Sequence, residues 1–385
     1  MPTLADPLVA LLESDNLHDP SPVYRWLREN EPVHWHEGLQ TWVLTRHADC
    51  TAVLKDTRRF ASDWRRIGED VPDPLLSLQS LDPPEHTAVR RLVVNAIRAQ
   101  DLRALERRVT ESLTRRLAEL EDRPFDFVGD LAAPLALETI TTLLGVPAPD
   151  PAWFHPISTA IAVAMDSGLR PETYEAGVAA RAQLAQLAAS WLESAPEHGV
   201  IGWASAHLHE ERVDPTVLHN SLRALLHAGY ESVLALLANG LITLLDHPGA
   251  LPVLATGAAD RAIDELARYT TPVRADARAC VVDAEIDGIR IEAGSTVTLL
   301  LGAANRDPAR FPDPDTLDLS RAPNPHLAFG RGVHSCLGAA LAVMQARVVF
   351  GTLARSYPHV RPVDTPVYRS AATIRGVERF DITLR

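Results

Sequence analysis

Lysine is almost absent from this chain: Lys55 is the only one, and arginine carries the rest of the positive charge. The formal net charge is −13. That balance argues against a protein that wraps nucleic acid, which needs a basic face. Cysteine is scarce as well, three in 385 residues. Cys50, Cys280 and Cys336 show no paired spacing, so no disulfide framework is expected and a reducing compartment is. The first sixteen residues mix leucines with Asp6, Glu13 and Asp15 and lack a basic start before a long apolar core. Neither a signal peptide nor a membrane anchor is expected, and the location implied is cytoplasmic. Internal repeats and low-complexity linkers are missing too, so one domain over residues 1–385 is expected.

What is present is ordinary globular material, with 46% hydrophobic and 23% charged residues. Prolines cluster at Val71–Pro74, Asp82–Pro84, Pro147–Pro151 and Phe311–Pro314, and mark loops. Pro32–His36 and Gln40–Thr45 have the pattern of short strands around a turn, and Asp283–Val297 is strand-like with turns at Gly288 and Gly294. Leu92–Glu121, Ala179–Ser194 and Val217–Leu245 have helical apolar spacing. The fold class is mainly α with small β-sheets, an α+β arrangement. Val217–Leu245 is too apolar for a surface helix and is expected to cross the core.

Cys336 is the most informative residue. It lies in Phe329-Gly330-Arg331-Gly332-Val333-His334-Ser335-Cys336-Leu337-Gly338, directly before an apolar helical run. At a helix mouth, free backbone N–H groups and the helix dipole favour a thiolate. A lone thiolate on a glycine-rich loop suits one axial bond to a haem iron. Lone cysteines are more often small buried hydrophobes, and local chemistry alone favours the ligand only modestly. In the middle of the long helix, Ala228-Gly229-Tyr230-Glu231-Ser232 interrupts the apolar run with a carboxylate and a hydroxyl. Taken alone, that stretch reads as a kink satisfied by the neighbouring turn or by buried water. Glu265 and Arg268 lie at i, i+3 and share a helix face.

Taken together, these segments resemble the haem-thiolate monooxygenases, the cytochrome P-450 family, over nearly the whole chain. The resemblance implies a triangular, helix-rich prism that encloses haem b between the long helix and the cysteine loop. Cys336 would ligate the iron, Phe329 would pack beside the sulfur, and Gly330 and Gly338 would shape the loop. His334, the i, i+4 pair His86 and Arg90, and Arg278 would hold the haem propionates. Ala228 and Gly229 would let haem or oxygen approach the helix, Glu231 would relay protons from solvent, and Ser232 would pass them on. Ser232 is a departure, because the family usually has threonine there. Serine keeps the hydroxyl but loses the methyl group that restricts χ1. Glu265 and Arg268 would be the family's Glu-x-x-Arg core pair, with a structural role. The substrate pocket would draw on Trp64, Ala224, Thr271, Val273, Thr373 and Ile374, and Arg65 and Arg66 could read an anionic substrate.

The implied partners are O2, a small organic substrate and a ferredoxin-type iron–sulfur protein with its NAD(P)H-dependent reductase. A basic face for that donor would use Arg98, Arg103, Arg107, Arg108, Arg331 and Arg347. No nucleic acid and no membrane are expected. Two other readings stay open: a peroxide-driven haem enzyme, and a catalytically silent haem-bearing recruitment protein. Peroxide-driven relatives replace the acid–alcohol pair with a carboxylate-binding arginine, and Glu231-Ser232 speaks against that.

Overall fold

The structure is a computed structural model that describes residues 6–194 and 196–385. Residues 1–5, part of the N-terminal stretch expected to lack an anchor, lie outside the described residues. The helices that frame the site are α1 (Glu85–Arg98), α2 (Leu102–Leu120), α3 (Ala133–Leu144), α4 (Pro151–Val163), α5 (Tyr174–Glu193), α6 (Pro215–Asp246), α7 (Ala259–Thr270) and α8 (Ala339–Ser356). The strands are β1 (Val33–His36), β2 (Thr41–Leu44), β3 (Phe60–Ala61), β4 (Asp276–Cys280), β5 (Ala284–Ile286), β6 (Ile289–Ile291), β7 (Thr296–Leu299), β8 (Val367–Tyr368) and β9 (Val377–Arg379). Helix dominates and the sheets are small, as the composition pattern implies.

The largest sheet has the order β1-β2-β7-β4-β3. Within it β2 and β7 are parallel and the other pairs antiparallel. Gly288 and Gly294 sit at φ +76° and +88°, the left-handed turn positions expected between the strands around them. The run Leu92–Glu121 is not one helix. Asp101 accepts from the Ala104 N–H at 2.9 Å, caps α2 and so ends α1 before it.

Helix α6 organises the core. Asp214 caps it by accepting from the Thr216 N–H at 2.7 Å, and Pro215 fills its first position. Its 32 residues run unbroken, which at ~1.5 Å per residue is about 48 Å. Val233–Leu244 is buried on every face. There Gly240 lets α6 meet α8, since a Cβ on it would lie 2.7 Å from Phe350 Cζ. Both α6 and the stretch Phe127–Leu144 are long and apolar enough to cross a membrane, but 78% of each such window is buried within the protein. They are core helices of one packed body.

Candidate active site

The N-terminal half of α6 differs from its buried C-terminal half. Ala224, Leu225, Ala228, Gly229 and Ser232 are only partly buried. Spacings of three and four residues put them on one stripe. Ser232 Oγ donates back to the Ala228 carbonyl at 2.7 Å, which leaves its lone pairs for another donor. The helix continues through this point, so the expected kink is a local hydroxyl bond within a continuous helix. Gly229 faces α3: a Cβ there would lie 2.7 Å from Ile140 Cδ1. Its missing side chain thus serves helix packing.

The cysteine loop is built by backbone. Gly330 and Gly332 take φ +65° and +75°. A Cβ on Gly332 would lie 2.3 Å from the Leu54 carbonyl oxygen, so only glycine fits there. The Cys336 N–H donates to the Phe329 carbonyl at 2.8 Å and closes the loop. Phe329 itself is half-buried and tilts against the His326 ring at 5.6 Å. Cys336 is exposed, unlike buried Cys50 and Cys280. Gly338 caps α8, and a Cβ on it would make only ordinary contact with Sγ, at 4.0 Å. The thiol is pushed up, not down as the helix mouth alone implies. Desolvation by surrounding protein outweighs the Gly338 and Ala339 N–H groups and the Arg90 charge, which act in the expected sense.

Residues far apart in sequence gather beside this loop. His86 and His334 rings lie 4.3 Å apart. His334 Nε2 is 3.3 Å from Asp82 Oδ1, and Arg90 donates to the Ser335 carbonyl at 2.8 Å. Burial, His334 and Arg90 lower the His86 pKa to about 4, so its imidazole is neutral. Its Nε2 is buried and has no partner. Burial alone would raise Asp82, but His334, the Asp63 and Ser62 N–H groups and Arg66 lower it to about 2. Arg278 is buried but binds Asp276 Oδ1 and the Ala277 carbonyl. No hydrogen bond or ion pair among the described residues joins it to this cluster.

Glu231 is not open to solvent. It is 2% exposed and forms an ion pair with Arg369, itself 4% exposed. Ser158 on α4 donates to Glu231 Oε2 at 3.0 Å, and the same Oγ lies 3.0 Å from His227 Nδ1. Burial alone would raise the Glu231 pKa; Arg369, His227 and Ser158 outweigh it, so the carboxylate stays ionised.

Glu265 and Arg268 are both fully buried, not solvated. Arg268 bonds Glu265 twice, at 2.7 and 2.8 Å, and the carbonyls of Asn305 and Pro314 at 2.8 Å. Arg321, Asn324 and the Asp318 N–H complete the shell around Glu265.

The expected pocket residues divide. Trp64 is half-buried; Arg65 pairs with Asp63 and Glu85, and Arg66 with Asp82. Neither arginine is free to read a substrate anion. The Thr271 hydroxyl donates to the Arg268 carbonyl at 2.8 Å and accepts from Asn305 at 2.9 Å. The Thr373 hydroxyl donates to Asp166 at 2.6 Å. Both hydroxyls hold the chain in place. Val273 pairs with Ile374 in a β-bridge, and Ile374 packs with Ala162 and Ala235 of the helices. On the expected docking face, Arg347 is taken by Glu106 and Asp260.

Comparisons with known proteins decide the family. The chain is 33% identical to a vitamin D(3) 25-hydroxylase of Pseudonocardia autotrophica, over 95% of this chain and 94% of that one. It is 32% identical to the cytochrome P-450 monooxygenase PikC of Streptomyces venezuelae, over 100% of this chain and 96% of the relative. The chain belongs to the cytochrome P-450 family. The family profile, described as cytochrome P-450, matches residues 258–368, which hold the core ion pair and the cysteine loop. A Bacillus megaterium cytochrome P-450, CYP109E1, solved with testosterone, superposes with TM-score 0.89 at 27% identity, covering 97% of this chain and 100% of that one. Epothilone B-bound cytochrome P450epoK superposes with TM-score 0.88 at 29% identity, covering 97% and 98%.

Cytochromes P-450 bind haem b, and the residues present fit it. An accessible cysteine sits on a backbone-built loop. Beside it lie a buried imidazole nitrogen without a partner and the Arg90 guanidinium. Metal coordination deprotonates a thiol outright, so the raised Cys336 pKa is no obstacle. Sequence reasoning missed Arg369, Ser158 and His227. The first two lie 138 and 73 residues from Glu231, and no local pattern marks them. His227 carries a visible signal, being four residues before Glu231 on the same helix.

Proposed function

We propose that this cytochrome P-450 is a single-domain, cytoplasmic enzyme that inserts one oxygen atom from O2 into, or oxidatively couples, a small organic substrate of specialised metabolism. Its electrons come from a separate ferredoxin-type protein and that protein's NAD(P)H-dependent reductase. The observation that carries this reading is an accessible thiol on a preformed loop in a chain that keeps the acid–alcohol pair Glu231-Ser232. Relatives support the substrate class: one is named nocardicin C N-oxygenase, and solved structures hold epothilones or testosterone.

The haem, when bound, supplies oxygen activation, and a thiolate ligand favours O–O cleavage. Cys336 would supply that sulfur. His86 and His334 would hold the propionates by hydrogen bonds and Arg90 by hydrogen bond and charge, and Arg278 would join them on releasing Asp276. The apolar stripe at Ala224 and Ala228, with Val273 and Ile374, positions the substrate and excludes water. Ser232 Oγ donates to the Ala228 carbonyl and would accept a proton from a further donor. Arg369 is the arginine at the acid–alcohol pair, and Glu231 neutralises it. That pairing speaks against a peroxide-driven enzyme, which needs a free carboxylate-binding arginine.

The test is the absorption spectrum of the dithionite-reduced protein under carbon monoxide, then turnover with a ferredoxin pair. A Soret band at the position that names the family is expected, and Cys336→Ser should abolish it. A band at the shorter wavelength of thiol or histidine ligation overturns the thiolate assignment. Substrate binding without turnover favours a recruitment protein.

A further inference from the structure

Glu231 lies in a closed setting, yet its resemblance-based role requires protons to reach it. Arg369 holds Oε1 and Ser158 donates to Oε2 at 3.0 Å. The serine hydroxyl has one proton. An ionised carboxylate only accepts, so that proton is committed to Glu231. Ser158 Oγ is also 3.0 Å from His227 Nδ1. With its own proton committed, Ser158 can only accept there. His227 must therefore carry its proton on Nδ1. His227 is half-buried, and among the described residues its Nε2 makes no hydrogen bond to protein.

We propose that His227 and Ser158 form a directed side-chain proton wire that loads Glu231, with His227 as the entry point. The proposal rests on the reading of Glu231 as the acid of the acid–alcohol pair. A solvent proton binds His227 Nε2. The Nδ1–H bond breaks as a proton passes to Ser158 Oγ, and the Ser158 O–H proton passes to Glu231 Oε2. One proton enters, one is delivered, and a ring and hydroxyl rotation resets the chain. No electron moves. A neutral Glu231 carboxyl loses the charge–charge attraction to Arg369, so loading also weakens the hold of its partner. The charged groups that act on His227 are Glu231 on its own helix, Arg181 of α5 and Arg369 beyond β8. Burial disfavours a charged imidazole, which makes a proton held at Nε2 ready to move on. Ser158 and His227 are positioning residues here, because they act through Glu231.

Two measurements test the wire. The first is 15N-histidine NMR of the reduced, carbon monoxide-bound holoenzyme, a diamagnetic state, with His227→Asn to assign the signal. Neutral His227 should be the Nδ1–H tautomer, and Ser158→Ala should shift it toward Nε2–H. An Nε2–H tautomer in the wild type overturns the proposal, because Ser158 would then donate to His227. The second is the split between product and peroxide per electron pair. His227→Asn keeps a donor for Ser158 but cannot relay. It should lose about a hundredfold or more in product formation, as Ser158→Ala should, within the range of positioned proton transfer. A purely structural role predicts near wild-type turnover for His227→Asn, and that result sinks the wire. If Glu231→Gln also turns over normally, the acid–alcohol reading fails with it. If only Glu231→Gln is impaired, the wire alone fails.

Discussion

Two buried carboxylate–arginine pairs in this enzyme are chemically alike and differently built. Glu265 and Arg268 sit one turn apart on α7. Backbone carbonyls saturate the guanidinium, and Arg321, Asn324 and a backbone N–H saturate the carboxylate. Glu231 and Arg369 come from opposite ends of the C-terminal half and meet only in the fold. The Nε of Arg369 is buried without a partner, and the carboxylate faces a serine and a histidine that can exchange protons with it. A buried pair is costly to desolvate, and the surrounding hydrogen bonds decide whether it is a fixed strut or a releasable contact. The first pair is a strut beneath the cysteine loop, reaching it through Asn305, which accepts from the Leu327 N–H at 2.7 Å. The second is set to change protonation.

The largest expected effect is at the strut. Glu265→Ala should cost about 3–5 kcal/mol, because it leaves Arg268 and Arg321 buried and uncompensated. Urea unfolding of the haem-loaded protein measures it, and a loss below that of the other pair would erase the distinction. Arg369→Met should cost less, about 1–3 kcal/mol, because Glu231 can take a proton and stay bonded to Ser158. The reduced carbon monoxide band should survive while product per electron falls. Loss of that band would make Arg369 a strut too.

The pH response sharpens the contrast further. Burial lowers the pKa of His155 and His227, near Glu231, and of His47. Below about 6.5 the unfolded chain binds protons that these folded imidazoles refuse. Stability should therefore be flat above that pH and decline below it, toward each lowered folded value, by up to about 1.4 kcal/mol per pH unit for each group. Thermal unfolding across pH 5–8 reads this, and His227→Asn should make the slope shallower. An unchanged slope would mean His227 titrates as an ordinary solvated imidazole. The smallest effect is expected for Ser232→Thr. The added methyl restricts χ1 and should modestly reduce peroxide release without altering stability. Increased peroxide would show that the serine geometry is already the better one.

The site was unevenly legible in the sequence. The cysteine loop is ten consecutive residues, and its glycines report the φ values and close approaches that the loop requires. The Glu265–Arg268 spacing is a helix rule, visible without any fold. His86, Arg90 and His334 were expected together and do cluster, whereas Arg278 was expected with them and binds Asp276 instead. Trp64, Thr271 and Thr373 occupy their expected segments, but the two hydroxyls were found holding backbone and a carboxylate. Side-chain direction within a loop is set by neighbours that sequence does not list.

Residue type and spacing alone marked the family, the glycine-rich cysteine loop, the apolar spine of α6 and the i, i+3 strut. All of these are local patterns of residue type and spacing. Packing across the chain set Glu231 against Arg369 and Ser158 and Asp82 against His334, and burial raised the Cys336 thiol. Those outcomes depend on desolvation and on contacts across 73 to 252 residues of chain. Packing alone brings such groups together, and burial then sets which of them keep their protons.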